Sequence, residues 1–448
     1  MRNILLIGAG RSSAFLIQYM LHHSSEQNWT LTVADVSEEL ALQKINGHIN
    51  GLAISFDVNN ELQRTNEISK ADIVISMLPA HMHLPVALDC VSLKKNLVTA
   101  SYATKEMLEL DVEAKKNGVL ILNECGLDPG LDHMSAMKII EDVQSAGGEI
   151  TSFKSYTGGL VAPESNDNPW GYKFTWNPRN VILAGQGTAK YIEKNNYRYI
   201  PYNRLFTQTE LVNVEGFSAF DGYANRDSLA YRKIYGLEKI PTMLRGTLRH
   251  HGFCNAWNVF VRLGLTDDSY TIEDSEHLTY LQFVEAFIPS DIVGNSVSSR
   301  LSLLMEMNEN NEVMEKIRWT GILEDKPIGL KTATPAQILQ QLLEQKWKLA
   351  DSDKDMIVMQ HQFYYKGRWK GDEGRSKALI SSLVVKGEDS VYTAMAKTVG
   401  LPLAIATKLI LNGKVNRTGV HIPVHKEIYE PILNELKTLG IDFVETEK

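Results

Sequence analysis

Cysteine is scarce in this chain: three in 448 residues, at Cys90, Cys125 and Cys254. So odd and scattered a set supports neither a disulfide framework nor a zinc cluster, and it favours a reducing compartment. Long apolar runs are missing too, none approaching the roughly 18 residues that a bilayer-spanning helix needs. Met1-Arg2-Asn3 leads straight into Ile4-Leu5-Leu6-Ile7-Gly8-Ala9-Gly10. That is too short for a secretory leader and has no small-residue cleavage site, so it reads as a strand that begins a fold. An excess of basic charge is also absent, since 46 Lys+Arg against 54 Asp+Glu leave a net charge of -8. A generally basic, nucleic-acid-binding surface is thereby disfavoured, while a local cationic pocket for a small anion is not. There is no internal repeat and no low-complexity tract. The expectation is an ordinary globular, cytoplasmic protein with neither nucleic acid nor membrane as a partner, and its length suggests roughly three domains at about 150 residues each.

What is present begins with alternation. Over the first 125 residues short apolar runs alternate with helical patterns, the pattern of a parallel sheet covered by helices on both faces. Strands are predicted at Asn3 to Ile7, Leu31 to Ala34, Ala53 to Phe56, Ile73 to Leu78, Leu97 to Ala100 and Val119 to Leu122. The fold class read from this order is α/β, with an N-terminal Rossmann domain. From about 150 to 265, strand-like segments mix with the loops Gly158 to Glu164 and Asn168 to Tyr172, and the tryptophans at 170, 176 and 257 suggest a pocket wall. From 270 to 350 the pattern is helical. There Thr334 is placed to cap and Pro335 to open a helix whose apolar face carries Ile338, Leu339, Leu342 and Leu343. Two strands, Met356 to Tyr365 and Ala378 to Val385, flank a turn-forming stretch from Lys366 to Gly374, and the tail from 390 reads as helical with a stop at Gly413.

Gly8-Ala9-Gly10-Arg11-Ser12-Ser13 lies between the first strand and the first helix, where a dinucleotide fingerprint belongs. Gly8 permits the tight turn, Gly10 lets the backbone approach a pyrophosphate, and the following helix offers its N–H groups. Ser13 stands where the motif has its third glycine. Asp35 closes the second strand, the position from which a carboxylate binds the adenosine ribose, and this favours NAD. Arg11, a ready partner for a 2′-phosphate, keeps NADP open. Ser76 to Pro79, Thr99 to Tyr102 and Asn123 to His133 leave the later strands at the carboxyl edge of the sheet, where ligands of α/β folds bind.

The chain resembles the glutamate-forming saccharopine dehydrogenases, also called saccharopine reductases, over nearly its whole length. The resemblance is carried by Asn123-Glu124-Cys125-Gly126-Leu127-Asp128-Pro129-Gly130-Leu131-Asp132-His133, Ser155-Tyr156-Thr157-Gly158-Gly159, Tyr172-Lys173-Phe174, Tyr223-Ala224-Asn225-Arg226-Asp227-Ser228 and Arg245-Gly246-Thr247-Leu248-Arg249. It continues in Asp355 to His361 and Ala396 to Lys408. It implies an oxidoreductase that interconverts saccharopine with glutamate plus 2-aminoadipate 6-semialdehyde by hydride transfer to or from a nicotinamide cofactor.

The resemblance further implies substrate contacts at Ser101, Tyr102, Asp128, Arg226, Thr247, Leu248 and Arg249, with Asp128 and Tyr102 as the candidates for proton transfer. It implies cofactor contacts at Ala9, Gly10, Arg11, Ser12, Asp35, Val36, Ser37, Asp57, Val58, Leu78, Ala100, Leu127, Pro129 and Asn177. The two arginines suit a tricarboxylate, which a guanidinium clamps with paired hydrogen bonds. Some relatives carry a cysteine where this chain has Thr157, so a thiol mechanism is not expected; Cys125 reads as a buried structural thiol, and His133 and His361 as packing or hydrogen-bonding residues rather than metal ligands. The expected division is a cofactor domain over 1–125, a substrate domain over 126–269 and 351–389, a helical insertion over 270–350 and a helical tail over 390–448 that packs on the first domain. The oligomeric state is open, a homodimer included. Two other readings compete: a related imine reductase that joins a polyamine to aspartate semialdehyde, and a nucleotide-binding regulator without catalysis.

Overall fold

A computed structural model of the chain describes residues 1–367 and 376–447. Of the expected turn from Lys366 to Gly374, residues 368–374 lie outside the described residues. The chain forms two compact units, one built from Met1–Ile150, Ile234–Leu237 and the chain from Tyr364 onward, the other from Thr151–Lys233 and Glu238–Phe363.

The first unit contains a parallel sheet whose strands β1 (Arg2–Ile7), β2 (Trp29–Asp35), β3 (Gly51–Ser55), β4 (Ile73–Ser76), β5 (Asn96–Thr99) and β6 (Leu120–Leu122) match the six predicted runs to within about two residues. Their spatial order is β6-β5-β4-β1-β2-β3. Ile4 to Ile7 are all buried, as are Ile73 to Ile75 and Leu120 to Leu122, so these strands are apolar on both faces, as helix-covered parallel strands must be. The order reverses between β1 and β4, which opens a crevice at the carboxyl ends of these strands.

A seventh strand, Gly419–His421, pairs in parallel with β6 at the edge of the sheet. The tail is therefore not wholly helical, as the sequence pattern suggests; besides this strand, Val444–Glu447 pairs with Lys377–Lys386. Its main helix, Ala394–Leu411, packs on the helix Ala14–His22 and behind β4 and β5. A Cβ on Gly400 would lie 3.0 Å from the Leu16 amide nitrogen, so glycine sets the close approach of the two helices. By length and composition Ala394–Leu411 is apolar enough to cross a bilayer, contrary to the expectation that no segment is, but 72% of it is buried inside the protein. Its apolar surface is core: Leu403, Ala404 and Ile405 are wholly enclosed, and each large aliphatic side chain so buried contributes about 1.5–3 kcal/mol.

The second unit holds most of β7 (Glu149–Val161), β8 (Ala189–Glu193), β9 (Asn196–Ile200), β10 (Thr209–Val212), β11 (Phe220–Ala224), β12 (Thr242–His250) and most of β13 (Asp355–Lys366), in the order β10-β11-β12-β7-β13 with β8 and β9 appended to β12. β11 and β12 run antiparallel, and β12 and β7 parallel. Gly158 to Val161 continue β7 rather than form a loop. The expectation that the 170 and 257 tryptophans wall a pocket is also corrected. Trp170 stacks on Phe260 and meets Trp347 edge-on, and Trp170, Trp257 and Trp347 are buried in the core, where large rings close the gap between irregular loops and the helix Phe253–Leu263. Between 270 and 350 the chain is helical as expected. The helix Pro335–Lys346 opens with a capping box between Thr334 and Gln337, worth about 1 kcal/mol.

Candidate functional site

In the first unit the site begins at the turn after β1. Gly8 has φ +103°, and a Cβ there would stand 3.0 Å from the Met77 carbonyl oxygen, so only glycine turns the chain here without displacing the end of β4. Gly10 is exposed and extended, and Arg11 and Ser12 open the short turn that precedes the helix Ala14–His22. Ser13 uses its hydroxyl to brace the turn, donating to the Gly10 carbonyl at 2.9 Å. Asp35 sits at the end of β2, as expected. Its Oδ2 accepts from the Ala9 amide at 2.7 Å and its Oδ1 from the Ser37 amide at 3.0 Å, which ties the glycine turn to the loop of Val36 and Ser37.

Lys44, unnoticed in the sequence, donates to the Gly10 carbonyl and to Ser13 Oγ. Burial pulls its pKa down to about 8 against the opposing pull of Asp35. Asp57 is an exposed loop residue whose carboxylate accepts from the Asn59 amide at 2.9 Å, and Val58 is buried behind it.

Around the ends of β4, β5 and β6 the remaining residues of this half come together. Leu78, Ala100, Ser101 and Tyr102 are half-buried at the strand ends. Tyr102 donates its phenol proton to Asp128 Oδ1 at 3.2 Å, so the two residues expected to handle protons are in contact. Asp128 belongs to the loop Gly126-Leu127-Asp128-Pro129-Gly130. The loop is closed on itself by the Gly126 amide donating to the Pro129 carbonyl and the Leu131 amide to the Gly126 carbonyl, with Leu127 and Pro129 buried beneath it. Glu124 Oε1 accepts from the Ala103 amide at 3.0 Å and Glu124 Oε2 pairs with His133 Nε2 at 2.8 Å, while His133 Nδ1 meets the Tyr235 hydroxyl. His133 is thus a buried hydrogen-bonding residue that steadies the loop bearing Tyr102. Cys125 is fully buried, and burial pushes its thiol far above the usual range, so it is not a reactive thiolate.

In the second unit the register of β7, β12 and β11 places Thr157 beside Thr247, Thr247 beside Tyr223, and Arg249 beside Asp221, all on one face of the sheet. Gly246 gives room for the Tyr156 ring, which a Cβ would meet at 2.6 Å. Arg249 is only 4% exposed, and its Nη1 donates to the Leu248 carbonyl at 2.9 Å. The guanidinium lies over the rings of Tyr172 and Phe253, 5.2 and 5.5 Å from their centroids. Its Nε has no partner, and among the described residues no carboxylate pairs with it. Asp221, the nearest acid by register, is taken by His251 Nδ1 and the Gly252 amide, at 2.8 and 2.9 Å. Thr157 is buried, with an unpartnered Oγ1.

Arg226 is exposed in a left-handed conformation, φ +49°, beyond the last residue of β11, whereas Arg249 faces the start of that strand; the two arginines are not side by side. Asn177 caps the helix Pro178–Ile182, its side-chain oxygen accepting from the Arg179 amide at 2.9 Å. His361 is buried against Phe153.

The reversed parallel sheet, the glycine turn and the carboxylate at the end of β2 define a dinucleotide-binding α/β protein. The family model described as saccharopine dehydrogenase NADP binding domain matches residues 4–122, and that described as saccharopine dehydrogenase C-terminal domain matches residues 126–441. The chain belongs to the saccharopine dehydrogenase family.

A saccharopine dehydrogenase (NADP(+), L-glutamate-forming) from Pyricularia oryzae is 33% identical over 442 residues, 97% of this chain and 96% of that protein. The mitochondrial alpha-aminoadipic semialdehyde synthase of Mus musculus is 34% identical over 453 residues, 99% of this chain and 47% of the larger protein. The solved structure of apo saccharopine dehydrogenase (L-Glu forming) from Saccharomyces cerevisiae superposes with a TM-score of 0.89 at 31% identity and full coverage of both chains. The matching NADP binding domain model spans β1 to β6, residues 4–122, and the residues present there fit a nicotinamide cofactor: the turn after Gly8 leaves Gly10 open to solvent just ahead of a helix.

Proposed function

We propose that this protein interconverts saccharopine with glutamate and 2-aminoadipate 6-semialdehyde, using a nicotinamide cofactor, in lysine metabolism. The observation that carries the proposal is Arg249, a permanently charged side chain in the protein interior with no acid among the described residues to neutralise it. A buried cation of this kind calls for an anionic ligand, and saccharopine offers three carboxylates. The whole-length kinship with enzymes named for this reaction favours it over the polyamine-type imine reductase and over an inactive regulator.

The cofactor, when bound, supplies the hydride acceptor. In the oxidative direction the secondary amine of saccharopine loses its proton, and its C–N bond becomes an imine as the adjacent carbon gives up hydride. Water then adds, and the two products separate. Asp128 takes the role of proton acceptor at the amine, and Tyr102, already donating to Asp128 Oδ1, orients that carboxylate. Arg249 and Thr247 hold a carboxylate, Arg226 binds another, Leu248 provides the carbonyl on which Arg249 is anchored, and Ser101 donates from the β5 end. Thr157 cannot act as a thiol.

NADP is the cofactor named for the fungal relatives and for the matching domain, and Lys44 and Arg11 supply cations near the turn. Asp35 favours NAD as a second reading, because its carboxylate would repel a 2′-phosphate. Purified protein should oxidise saccharopine with NADP or NAD, and reduce the glutamate–semialdehyde imine with the reduced cofactors. Absence of turnover in both directions with either cofactor would refute the proposal. The ratio of kcat/KM values for the two cofactors decides between them.

A further inference from the structure

Between β4 and β5 a single imidazole links two hydroxyls. Ser76, the last residue of β4, lies 2.8 Å from His83 Nδ1, and His83 Nε2 lies 2.7 Å from Ser101 Oγ, just past the end of β5. Ser76 is 0% exposed and His83 3%, and Ser101 is half-buried at the crevice edge. Burial, helped by the nearby His81, pushes the His83 pKa down to about 4 against the opposing pull of the Leu78 carbonyl, so at neutral pH the ring is uncharged and has one donor nitrogen and one acceptor nitrogen; Ser76 and Ser101 are the two groups within hydrogen-bond geometry of those nitrogens. Which nitrogen carries the proton is settled by Ser76.

Its hydroxyl has no partner other than His83 among the described residues. If Nδ1 donated to Ser76, the serine proton would be sealed in the interior with no acceptor, a costly arrangement. With the serine proton donated to Nδ1, every polar atom of Ser76 and the ring is satisfied. Nε2–H must then donate to Ser101 Oγ, and the proton of Ser101 is left free to be given to something else. Ser101 cannot turn that proton back on the ring, because the nitrogen facing it is already a donor.

We propose that His83 is a positioning residue, locked by Ser76 as the Nε2–H tautomer, which makes Ser101 an obligatory hydrogen-bond donor toward an acceptor oxygen of the bound ligand, a substrate carboxylate. The proposal rests on the saccharopine-oxidising reading for the identity of that oxygen but not for the tautomer. A hydroxyl committed in this way favours an anion and penalises a donor group in the same place, which makes the relay a device of substrate selection.

The tautomer is read in the ligand-free protein from long-range 1H–15N correlations of the histidine rings, with His83→Gln used to assign the His83 signals. The expected result is an Nε2–H ring with an unprotonated Nδ1 at pH 7; an Nδ1–H ring, or an imidazolium, overturns the proposal whatever the enzyme catalyses. Kinetics supply the second arm. Gln at position 83 can present an amide N–H near the Nε2 position and so keep the donor to Ser101, whereas Asn is too short. His83→Asn should raise KM for saccharopine about tenfold with cofactor affinity unchanged, and His83→Gln should recover most of that loss. Equal KM for the Asn and Gln variants, with both folded by thermal melting, would show that the ring only fills space. If no variant and no wild-type protein turns over saccharopine, the functional proposal falls, and the tautomer still decides this one.

Discussion

The two units prepare for ligands in opposite ways. In the first, the polar groups around the glycine turn and the strand ends are bonded to one another: Asp35 to two amides, Ser13 to Gly10, Ser76 to His83 to Ser101, Tyr102 to Asp128. Asn123, buried with both amide atoms unpartnered, is the exception. In the second, Arg249 Nε, Thr157 Oγ1 and the Tyr156 hydroxyl are enclosed without partners. A self-satisfied framework holds its shape and offers geometry, whereas an unsatisfied one stores a desolvation cost that a complementary ligand relieves. The first arrangement suits a cofactor held through backbone and shape; the second suits a small polyanion.

The sharpest way to break this contrast is at the proton-handling pair. Asp128→Asn should lower kcat by at least about 100-fold while the dissociation constant for the cofactor stays within twofold or so of wild type. Equal losses in both would mean that the loop has collapsed.

Next comes Arg249→Met, which should raise KM for saccharopine by about 30-fold or more and, by removing an unpaired buried charge, raise the stability of the ligand-free protein by about 1 kcal/mol. Saccharopine should raise the melting temperature of the wild type and not of this variant; a destabilised Arg249→Met would show that Arg249 is structural.

Asp35→Ser sharpens the cofactor side. It should move the NADP-to-NAD ratio of kcat/KM about tenfold toward NADP, and an unchanged ratio would remove Asp35 from the ribose. The smallest effect is on stability in acid. His83 has a folded pKa of about 4, below the ordinary value of 6.5. The unfolded chain therefore binds the extra proton between these values, and stability falls as pH drops through that window. Denaturant titrations should show a shallower loss from pH 6.5 to 4 in His83→Gln than in the wild type, and identical slopes would place His83 in a wetter environment.

The parallel strands are legible because apolar runs buried on two faces leave a dense signal; Gly8 and the Thr334–Gln337 box are legible because each acts within its own turn, and Asp35 because it closes a strand at a fixed place in the pattern, although its bond to the Ala9 amide crosses between strands. What could not be read joins residues far apart in the chain. The Ser76–His83–Ser101 bridge, the Glu124–His133–Tyr235 line and Lys44 beneath the glycine turn depend on the packing of separate strands and helices, which no local spacing records. Gly419–His421 leaves no mark in the sequence, because three residues show no periodicity. Trp170 stands between Pro169 and Gly171, which suggest a loop whether its ring points to solvent or to core, and Trp257, inside the helix Phe253–Leu263, is core for the ordinary reason that it lies on that helix's buried face.

The strand Gly419–His421 and the helix Ala394–Leu411 also bear on synthesis. The dinucleotide-binding sheet begins at Arg2, yet it is completed at its β6 edge by Gly419–His421, far downstream of β6, and one face of it is covered by the helix Ala394–Leu411. On the ribosome, the early strands must wait for all of the second unit to be made before their apolar face is closed. During that interval the nascent protein is exposed to aggregation, and a chain stopped short of about residue 390 loses both the cover and the last strand of its cofactor unit.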